Sequence, residues 1–311
     1  MSVVESWWSY LSSYGEVMKA QCLTVRGLLL LTAILCVGAA AGETIAATKR
    51  GEISIWAVAD THFTSLAYPH MQRLNEQRQD RKFRAVPEWR ANFDIFLAMV
   101  SEEKPDMVVV CGDVTETGHE QEMRDYLAAI KATGVAFRHL PGNHDVGDRL
   151  VPERHAQFEK HFGPAHWFQD VAGVRLIGLD TSRLWKTTQE QGESEIRWLI
   201  ETVALGEKPF VVFSHIAPFI KSADEPHTFH NLPTGVRKEL LQIVSPAPCL
   251  RWIAGHSHIY RADHKGAPPL TILPSMLSGY GNWRPGFVKL RLREGTILME
   301  EIVWITNTKA E

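Results

Sequence analysis

The stretch Met-Val-Val-Val-Cys-Gly-Asp-Val-Thr, residues 107–115, is the segment from which the fold of this chain can be inferred. Its first five residues are apolar, and the run ends at Gly112, directly before Asp113. A short apolar run bounded by glycine is typical of a buried strand. Four further runs have a similar form, and they occupy residues 53–59, 136–140, 210–213 and 250–254. We therefore predict a buried strand at each of the five.

Polar side chains follow each predicted strand directly. They supply four imidazoles, two carboxylates and one amide oxygen. Because ligands in open α/β sheets bind at the carboxyl ends of the strands, these side chains are expected to converge there. The candidate metal ligands are Asp60, His62, Asp113, Asn143, His215, His256 and His258.

The donor set contains imidazole nitrogen and side-chain oxygen but no thiolate. Such a mixture indicates a hydrolytic pair of divalent ions, not an iron–sulfur cluster or a structural zinc site. Neighbouring cations repel, so an anionic ligand should bridge them, and Asp113 is the best candidate because it stands alone after its strand. Two carboxylates against two divalent ions leave a net charge of about +2. That charge suits an anionic phosphate and lowers the pKa of bound water, which supplies a nucleophile at neutral pH.

The motifs follow one another in the order D-x-H, G-D, G-N-H-D, H and G-H-x-H. In this order they resemble the calcineurin-like metallophosphoesterases, from residue 53 to residue 303 of this chain. The resemblance implies an α/β fold with two packed mixed β-sheets flanked by helices, an α/β/β/α sandwich. It also implies two divalent ions (Fe, Mn or Zn) that share one bridging carboxylate. One ion would be held by Asp60, His62, Asp113 and His258, and the other by Asp113, Asn143, His215 and His256.

The resemblance also implies the catalytic residues, which are Asp113, Asn143 and His144. A hydroxide that bridges the ions would attack phosphorus, and His144 would protonate or position the leaving oxygen. Glu116 stands where the purple acid phosphatase branch has a tyrosine ligand, so an Fe(III)–tyrosinate centre is not expected. The sequence Gly-Asp-Val-Thr at 112–115 is similar to the bacterial branch that contains cyclic-nucleotide and glycerophosphodiester phosphodiesterases.

We therefore expect a metal-dependent phosphoric ester hydrolase, with phosphodiesters slightly favoured over phosphomonoesters. The alternative is a catalytically silent binding protein of the same fold. Eroded ligand positions would mark that alternative, and none of the seven is eroded.

Residues 1–47 are predicted to be a targeting segment, and residues 48–311 to be the catalytic domain. Residues 27–42 are uncharged and apolar, Lys19 and Arg26 precede them, and three alanines at 39–41 supply a small-residue cleavage site. The residues before Met18 make an unusually long leader start, so Met18 is the expected native start. We expect export to the periplasm or the medium. The apolar run is short for a membrane span, and a retained membrane anchor is the alternative.

The formal net charge of −3 argues against general nucleic-acid binding, which needs a basic surface. The expected partner is a small phosphate ester, with no nucleic acid and, unless the leader is retained, no stable membrane partner. Residues 68–84 form a basic insertion after the first ligands. A solvated loop or helix is the preferred interpretation, and a cap that contacts anionic substrate is the alternative.

Several other residues receive a definite expectation. Cys111 and Cys249 adjoin predicted strands and are expected to be buried thiols, not a disulfide. Asp145 is expected to bond a nearby imidazole or the backbone. The loop with His227 and His230 could shape the substrate pocket, but a direct role of these histidines is not the preferred interpretation. The histidines expected at the surface or at helix ends are His119, His155, His161, His166 and His264. Helices are predicted at 87–102, 118–133, 152–162, 192–203 and 233–244, and hairpins at 167–179 and 287–304.

Overall fold

The apolar runs form the strands of two sheets in the computed structural model, which describes residues 51–78, 86–147, 151–186, 189–205, 208–277 and 284–306. These residues belong to one compact unit, Ala46–Glu311. The predicted targeting segment and residues 79–84 of the basic insertion lie outside the described residues. The strands are β1 (Ile53–Val58), β2 (Met107–Cys111), β3 (Phe137–Leu140), β4 (Trp167–Val171), β5 (Val174–Leu179), β6 (Phe210–Ser214), β7 (Cys249–Ala254), β8 (Arg261–Asp263), β9 (Leu270–Ile272), β10 (Gly286–Arg293) and β11 (Thr296–Trp304).

Within the described ranges, the strands form a five-stranded sheet and a six-stranded sheet. The first has the order β11-β10-β1-β2-β3, and the second has the order β4-β5-β6-β7-β9-β8. Strands β1, β2 and β3 are parallel, and β10 and β11 extend that sheet in antiparallel fashion. Strands β5, β6, β7 and β9 are parallel, with antiparallel β4 and β8 at the two edges. Both sheets are therefore mixed, with parallel strands at the positions that carry the predicted ligands.

Helices flank the sheets and cover them with apolar stripes. In α2, the side chains of Phe93, Phe96 and Val100 recur at helical spacing and pack in the core of the first sheet. Leu199 and Leu240 come from two later helices and pack in the core of the second sheet. The helices are α1 (Pro69–Arg78), α2 (Val86–Glu103), α3 (Glu120–Lys131), α4 (Asn143–Val146), α5 (Pro152–Phe162), α6 (Gln189–Ala204) and α7 (Thr234–Val244).

Strands β2 and β6 are buried along their whole length, so both faces of each are covered. The predicted α/β fold with two mixed sheets flanked by helices is therefore confirmed. The strand at Met107–Cys111 and the helix at Pro152–Phe162 have the predicted bounds. Helix α3 begins two residues later than predicted, because His119 and Glu122 form a capping box at its start.

The basic insertion contains the helix α1, one of the two forms, loop or helix, that the sequence predicted for it. Two short strands, β8 and β9, were not predicted. Each has only three residues, too few for a periodic pattern to be recognised. Among the described residues, no helix is both long and apolar enough to cross a membrane. Cys111 and Cys249 are free thiols, as predicted, the first buried and the second half-buried.

The expectation that His155 lies at the surface is wrong. This residue is buried on the inner face of α5, one turn before the buried Phe158. Its Nε2 atom lies 2.7 Å from a carboxylate oxygen of Asp180, at the end of β5. The same carboxylate caps the 3₁₀ helix Thr181–Arg183 by accepting the amide of Ser182. The hydrogen bond to a buried carboxylate offsets the free-energy cost of burying the imidazole.

Candidate metal centre

The loops that follow β1, β2, β3, β6 and β7 bring all seven predicted ligands together. Donor atoms of four of them lie within 4.8 Å of one another, and those of Asp113, His215 and His256 form a second such group. Asp113 belongs to both groups. Asn143 joins the second one, because its Oδ1 atom lies 3.1 Å from Nε2 of His215. The first group consists of Asp60, His62, Asp113 and His258.

The spacing of the donor atoms fits metal coordination. Bonds of about 2.0–2.1 Å to one ion place neighbouring ligand atoms about 3.0–3.4 Å apart. Nε2 of His258 lies 3.3 Å from Oδ1 of Asp60 and 3.4 Å from Nε2 of His62. Oδ2 of Asp113 lies 3.4 Å from Nε2 of His215 and 3.7 Å from Nε2 of His62. One carboxylate oxygen thus lies between the two groups, where a bridging ligand belongs. The role of the seven residues as ligands stays a prediction.

Hydrogen bonds at the outer nitrogens orient three of the imidazoles. Nδ1 of His62 lies 2.7 Å from a carboxylate oxygen of Glu116, and Nδ1 of His215 lies 3.0 Å from the carbonyl oxygen of Cys111. Nε2 of His256 lies 2.8 Å from the carbonyl oxygen of Phe229. A ring N–H that donates outward leaves the other nitrogen with its lone pair toward the centre, the usual arrangement of metal-binding histidines. The residues present therefore fit a pair of divalent ions.

The backbone at five of the seven predicted ligands lies in the left-handed region. Residues other than glycine rarely adopt this conformation, and such strain is concentrated at functional sites. At each of these positions the unusual backbone turns an acidic or imidazole side chain toward the centre. The φ angles are +54° at Asp60, +43° at His62, +47° at Asp113, +66° at His256 and +54° at His258.

Main-chain hydrogen bonds hold the two ligand loops of the first sheet side by side. The amide of Asp60 donates to the carbonyl of Gly112 (3.0 Å), and the amide of His62 donates to the carbonyl of Asp113 (2.9 Å). The Asp60 carboxylate in turn accepts the amide of His256, at 3.0 Å from Oδ2, which ties the second sheet to the first. These main-chain hydrogen bonds therefore help to hold the strained loops in place.

Of the two partners predicted for Asp145, an imidazole or the backbone, the structure shows the backbone. Its buried carboxylate accepts the amides of Val114, Thr115 and Gly142 at 2.9–3.0 Å. Burial raises the pKa of Asp145 to about 6, and the neighbouring charge of Asp113 acts in the same direction. This carboxylate joins the loop after β2 to the loop after β3, so it holds Asp113 and Asn143 in register.

Gly142 allows the closest approach in the centre. A Cβ atom at this position would lie 2.1 Å from Oδ1 of Asp113 and 2.2 Å from its amide nitrogen. The same oxygen accepts the amide of His144 at 2.8 Å. Because Oδ1 is held in this way, Oδ2 is directed toward His62 and His215.

Burial and neighbouring charges give the histidines of the centre different pKa values. Burial and, after it, the charge of His215 lower the pKa of His256 to about 3. Burial also opposes protonation of His215, but the Asp113 carboxylate raises its pKa to about 9. Although burial alone would raise the pKa of Asp113, His215 and His144 hold it well below its usual range. Ion binding must therefore displace a proton from His215, since a histidine ligand is deprotonated at the coordinating nitrogen.

Glu116 is a residue of the site whose role the sequence did not reveal. In the sequence, Glu116 is distinguished only by its position, where the purple acid phosphatase branch has a tyrosine ligand. In the structure it is buried and bonds His62 directly, and its main-chain carbonyl lies 2.7 Å from Nδ1 of His144. The His144 ring packs edge-on against the His62 ring, with centroids 4.6 Å apart. Glu116 therefore positions both a predicted ligand and the predicted catalytic histidine.

Replacing Glu116 with glutamine is expected to lower metal affinity about 10- to 100-fold, the usual cost of removing such a supporting group. The amide keeps the shape of the side chain but loses the charge that makes the His62 imidazole a stronger donor. Competition with a metal-sensitive dye measures the change. Glu103→Gln is the matched control, because that side chain is 46% exposed at the end of α2. Equal affinities in the two variants would contradict the assigned role.

The comparisons with known proteins place the chain in a family. Residues 53–260 match the calcineurin-like phosphoesterase family, and the chain belongs to it. The relatives include the serine/threonine-protein phosphatase CPPED1 of Danio rerio, which is 27% identical over 50% of this chain and 55% of its own length. The chain thus spans about half the length of this relative.

Two bacterial relatives have phosphodiesterase names. The probable glycerophosphodiester phosphodiesterase GpdQ of Arcobacter nitrofigilis is 30% identical over 50% of this chain and 57% of its own length. The probable cyclic nucleotide phosphodiesterase of Psychrobacter arcticus is 24% identical over 73% of this chain and 81% of its own length. A dimetal phosphatase from Danio rerio shares the fold, with a TM-score of 0.59 at 14% identity over 82% of this chain and 99% of its own. The chain is therefore a member of a metal-dependent phosphoesterase family.

Proposed function

We propose that this chain is an exported hydrolase of small phosphate esters that uses two divalent ions (Fe, Mn or Zn) and slightly favours diesters. The observation that carries the proposal is the position of Asp113, whose Oδ2 atom lies between two groups of donor atoms. When bound there, two ions supply a nucleophile from water at neutral pH and neutralise charge on the phosphate.

The surrounding residues orient the ligands of this centre and leave one histidine accessible to substrate. The amide of His144 holds one oxygen of Asp113, and both sheets contribute predicted ligands. The His144 side chain is 28% exposed, whereas those of His62 and His215 are almost fully buried. His144 is therefore the histidine of this cluster that is best placed to meet a phosphate oxygen from solvent. Asn143 offers its side-chain oxygen beside His215.

Three observations support the finer parts of the proposal. The phosphodiesterase names of two bacterial relatives support the preference for diesters. The apolar run at 27–42 with its three alanines supports export. The net charge of −3 supports a small ester as substrate and argues against nucleic acid.

Metal analysis and a substrate panel test the proposal together. Freshly purified protein is expected to hold close to two equivalents of Fe, Mn or Zn. It should hydrolyse bis-p-nitrophenyl phosphate faster than p-nitrophenyl phosphate, with cyclic nucleotides as further substrates. Chelation should abolish turnover, and the same metal should restore it. A metal-free protein without turnover on the whole panel would instead favour the silent binding protein.

A further inference from the structure

A loop, residues 217–231, follows the predicted ligand His215 and returns to the centre. The Glu225 carboxylate accepts the amides of Ile220 and Lys221 from within the loop, at 2.6 and 2.8 Å. The Asn231 side chain donates to the same carboxylate. The buried guanidinium of Arg237 donates to the main-chain carbonyls of Ala223, Glu225 and Leu232. The loop therefore holds its own shape, and its side chains are presented in fixed positions.

Phe229 is the residue that this loop presents next to the centre. Its carbonyl oxygen accepts the hydrogen bond from His256, and its ring centroid lies 4.8 Å from the His256 ring. The Phe229 ring also contacts the buried ring of Trp185 edge-on, with the two centroids 5.1 Å apart, and this contact holds a second side of the Phe229 ring. Phe229 nevertheless remains 49% exposed. A large aromatic ring is thus held against a predicted metal ligand while half of its surface faces solvent.

The ammonium group of Lys186 lies beside the same two aromatic rings. The Nζ atom of Lys186 lies 3.8 Å from the ring centroid of Trp185 and 5.0 Å from that of Phe229. An exposed aromatic ring with an adjacent ammonium group suits a planar organic group that carries negative charge nearby. Exposure alone would not justify this conclusion, since Phe168 on β4 is also 44% exposed. What distinguishes Phe229 is its contact with the centre through His256.

We propose that Phe229 is a specificity-determining residue, a platform on which the aromatic group of a phosphate ester stacks while the phosphate occupies the metal centre. The inference rests on the proposed function and narrows the substrate class to esters whose organic part carries a planar aromatic ring, either an aryl group or the base of a nucleoside. Stacking on one aromatic side chain strengthens binding about five- to one-hundred-fold. The platform acts on binding of the organic group and leaves the chemistry at phosphorus to the centre.

Binding of non-hydrolysable phosphonates tests the platform without turnover. Calorimetry on the metal-loaded protein compares phenylphosphonate with methylphosphonate and with cyclohexylphosphonate, which has a similar size but is not planar. The wild type is expected to bind phenylphosphonate about five- to one-hundred-fold more tightly than methylphosphonate, and more tightly than the cyclohexyl compound. Phe229→Ala and Phe229→Leu should both abolish the preference for phenyl, whereas Phe229→Trp should keep it. Phe168→Ala is the matched control and should keep it as well.

The outcomes separate this inference from the proposed function. If the wild type hydrolyses the substrate panel but shows no preference for phenyl, the platform is refuted and the hydrolase stands. A preference that survives in Phe229→Ala also refutes the platform. If the preference depends on Phe229 but no ester is hydrolysed, the platform stands and the hydrolase is refuted. Failure of every phosphonate to bind, together with no turnover on the substrate panel, overturns both.

Discussion

Replacing Asp113 with asparagine is expected to lower kcat/KM by at least about 1,000-fold and to reduce bound metal from two equivalents to one or fewer. Asparagine has the same shape, so the bond from the His144 amide to Oδ1 can persist. What is lost is the negative charge between the two groups of donor atoms. Metal ions contribute several kcal/mol to stabilising a phosphoryl transition state, and about 1.4 kcal/mol corresponds to a factor of ten in rate.

Metal analysis and steady-state kinetics on the same preparation measure this effect. Asp94→Asn is the matched control, because its side chain on α2 is 56% exposed and pairs only with Arg90 among the described contacts. That variant should keep both the metal and the turnover. An Asp113→Asn protein with two equivalents of metal and wild-type turnover would remove the central element of the proposed function.

The sequence was sufficient to predict which side chains converge. Asp60, Asp113 and His215 each follow a short apolar strand, the first two in one sheet and the third in the other. Within each sheet the carboxyl ends of the parallel strands lie at one edge, where ligands bind. The core helices were predictable for a similar reason, since their apolar residues recur at helical spacing. Local pattern therefore predicted the sheets, the helices of the core and the positions of the candidate ligands.

The supporting contacts could not be predicted in this way, because they depend on how distant loops lie against one another. The pairing of His62 with Glu116 requires two loops of the first sheet to be aligned within an ångström or so. The pairing of His155 with Asp180 links a helix to a strand end, and no local pattern shows it. The left-handed backbone at Asp60 and Asp113 is equally hidden, since aspartate usually adopts other conformations.

The contact between His256 and the carbonyl of Phe229 is another contact between distant loops that could not be predicted from the sequence. The sequence did indicate that the loop carrying His227 and His230 could shape the substrate pocket. It named the histidines because of their chemistry, whereas the structure places an aromatic ring of that loop against the centre. Main-chain acceptors leave no signature in a sequence, so this loop is best understood from its hydrogen bonds.

Replacing His144 with alanine is expected to lower kcat about 100- to 10,000-fold, the usual contribution of a positioned general acid, while both equivalents of metal stay bound. The ring is anchored through Nδ1 by the carbonyl of Glu116, so Nε2 is the nitrogen that can reach a leaving oxygen. The loss should be larger for alkyl esters than for p-nitrophenyl esters, because p-nitrophenolate leaves without a proton. Kinetics with both types of ester, alongside metal analysis, measure the difference.

His264→Ala is the control for this prediction, because its side chain is 56% exposed on a surface turn after β8. Added imidazole should restore part of the activity of His144→Ala on alkyl esters, since imidazolium can occupy the space left by the ring and give its proton to the leaving oxygen. Equal losses for both leaving groups, without rescue by imidazole, would show that His144 only supports the phosphate. A loss of metal in His144→Ala would instead assign it to the structure of the centre, because its ring packs edge-on against His62.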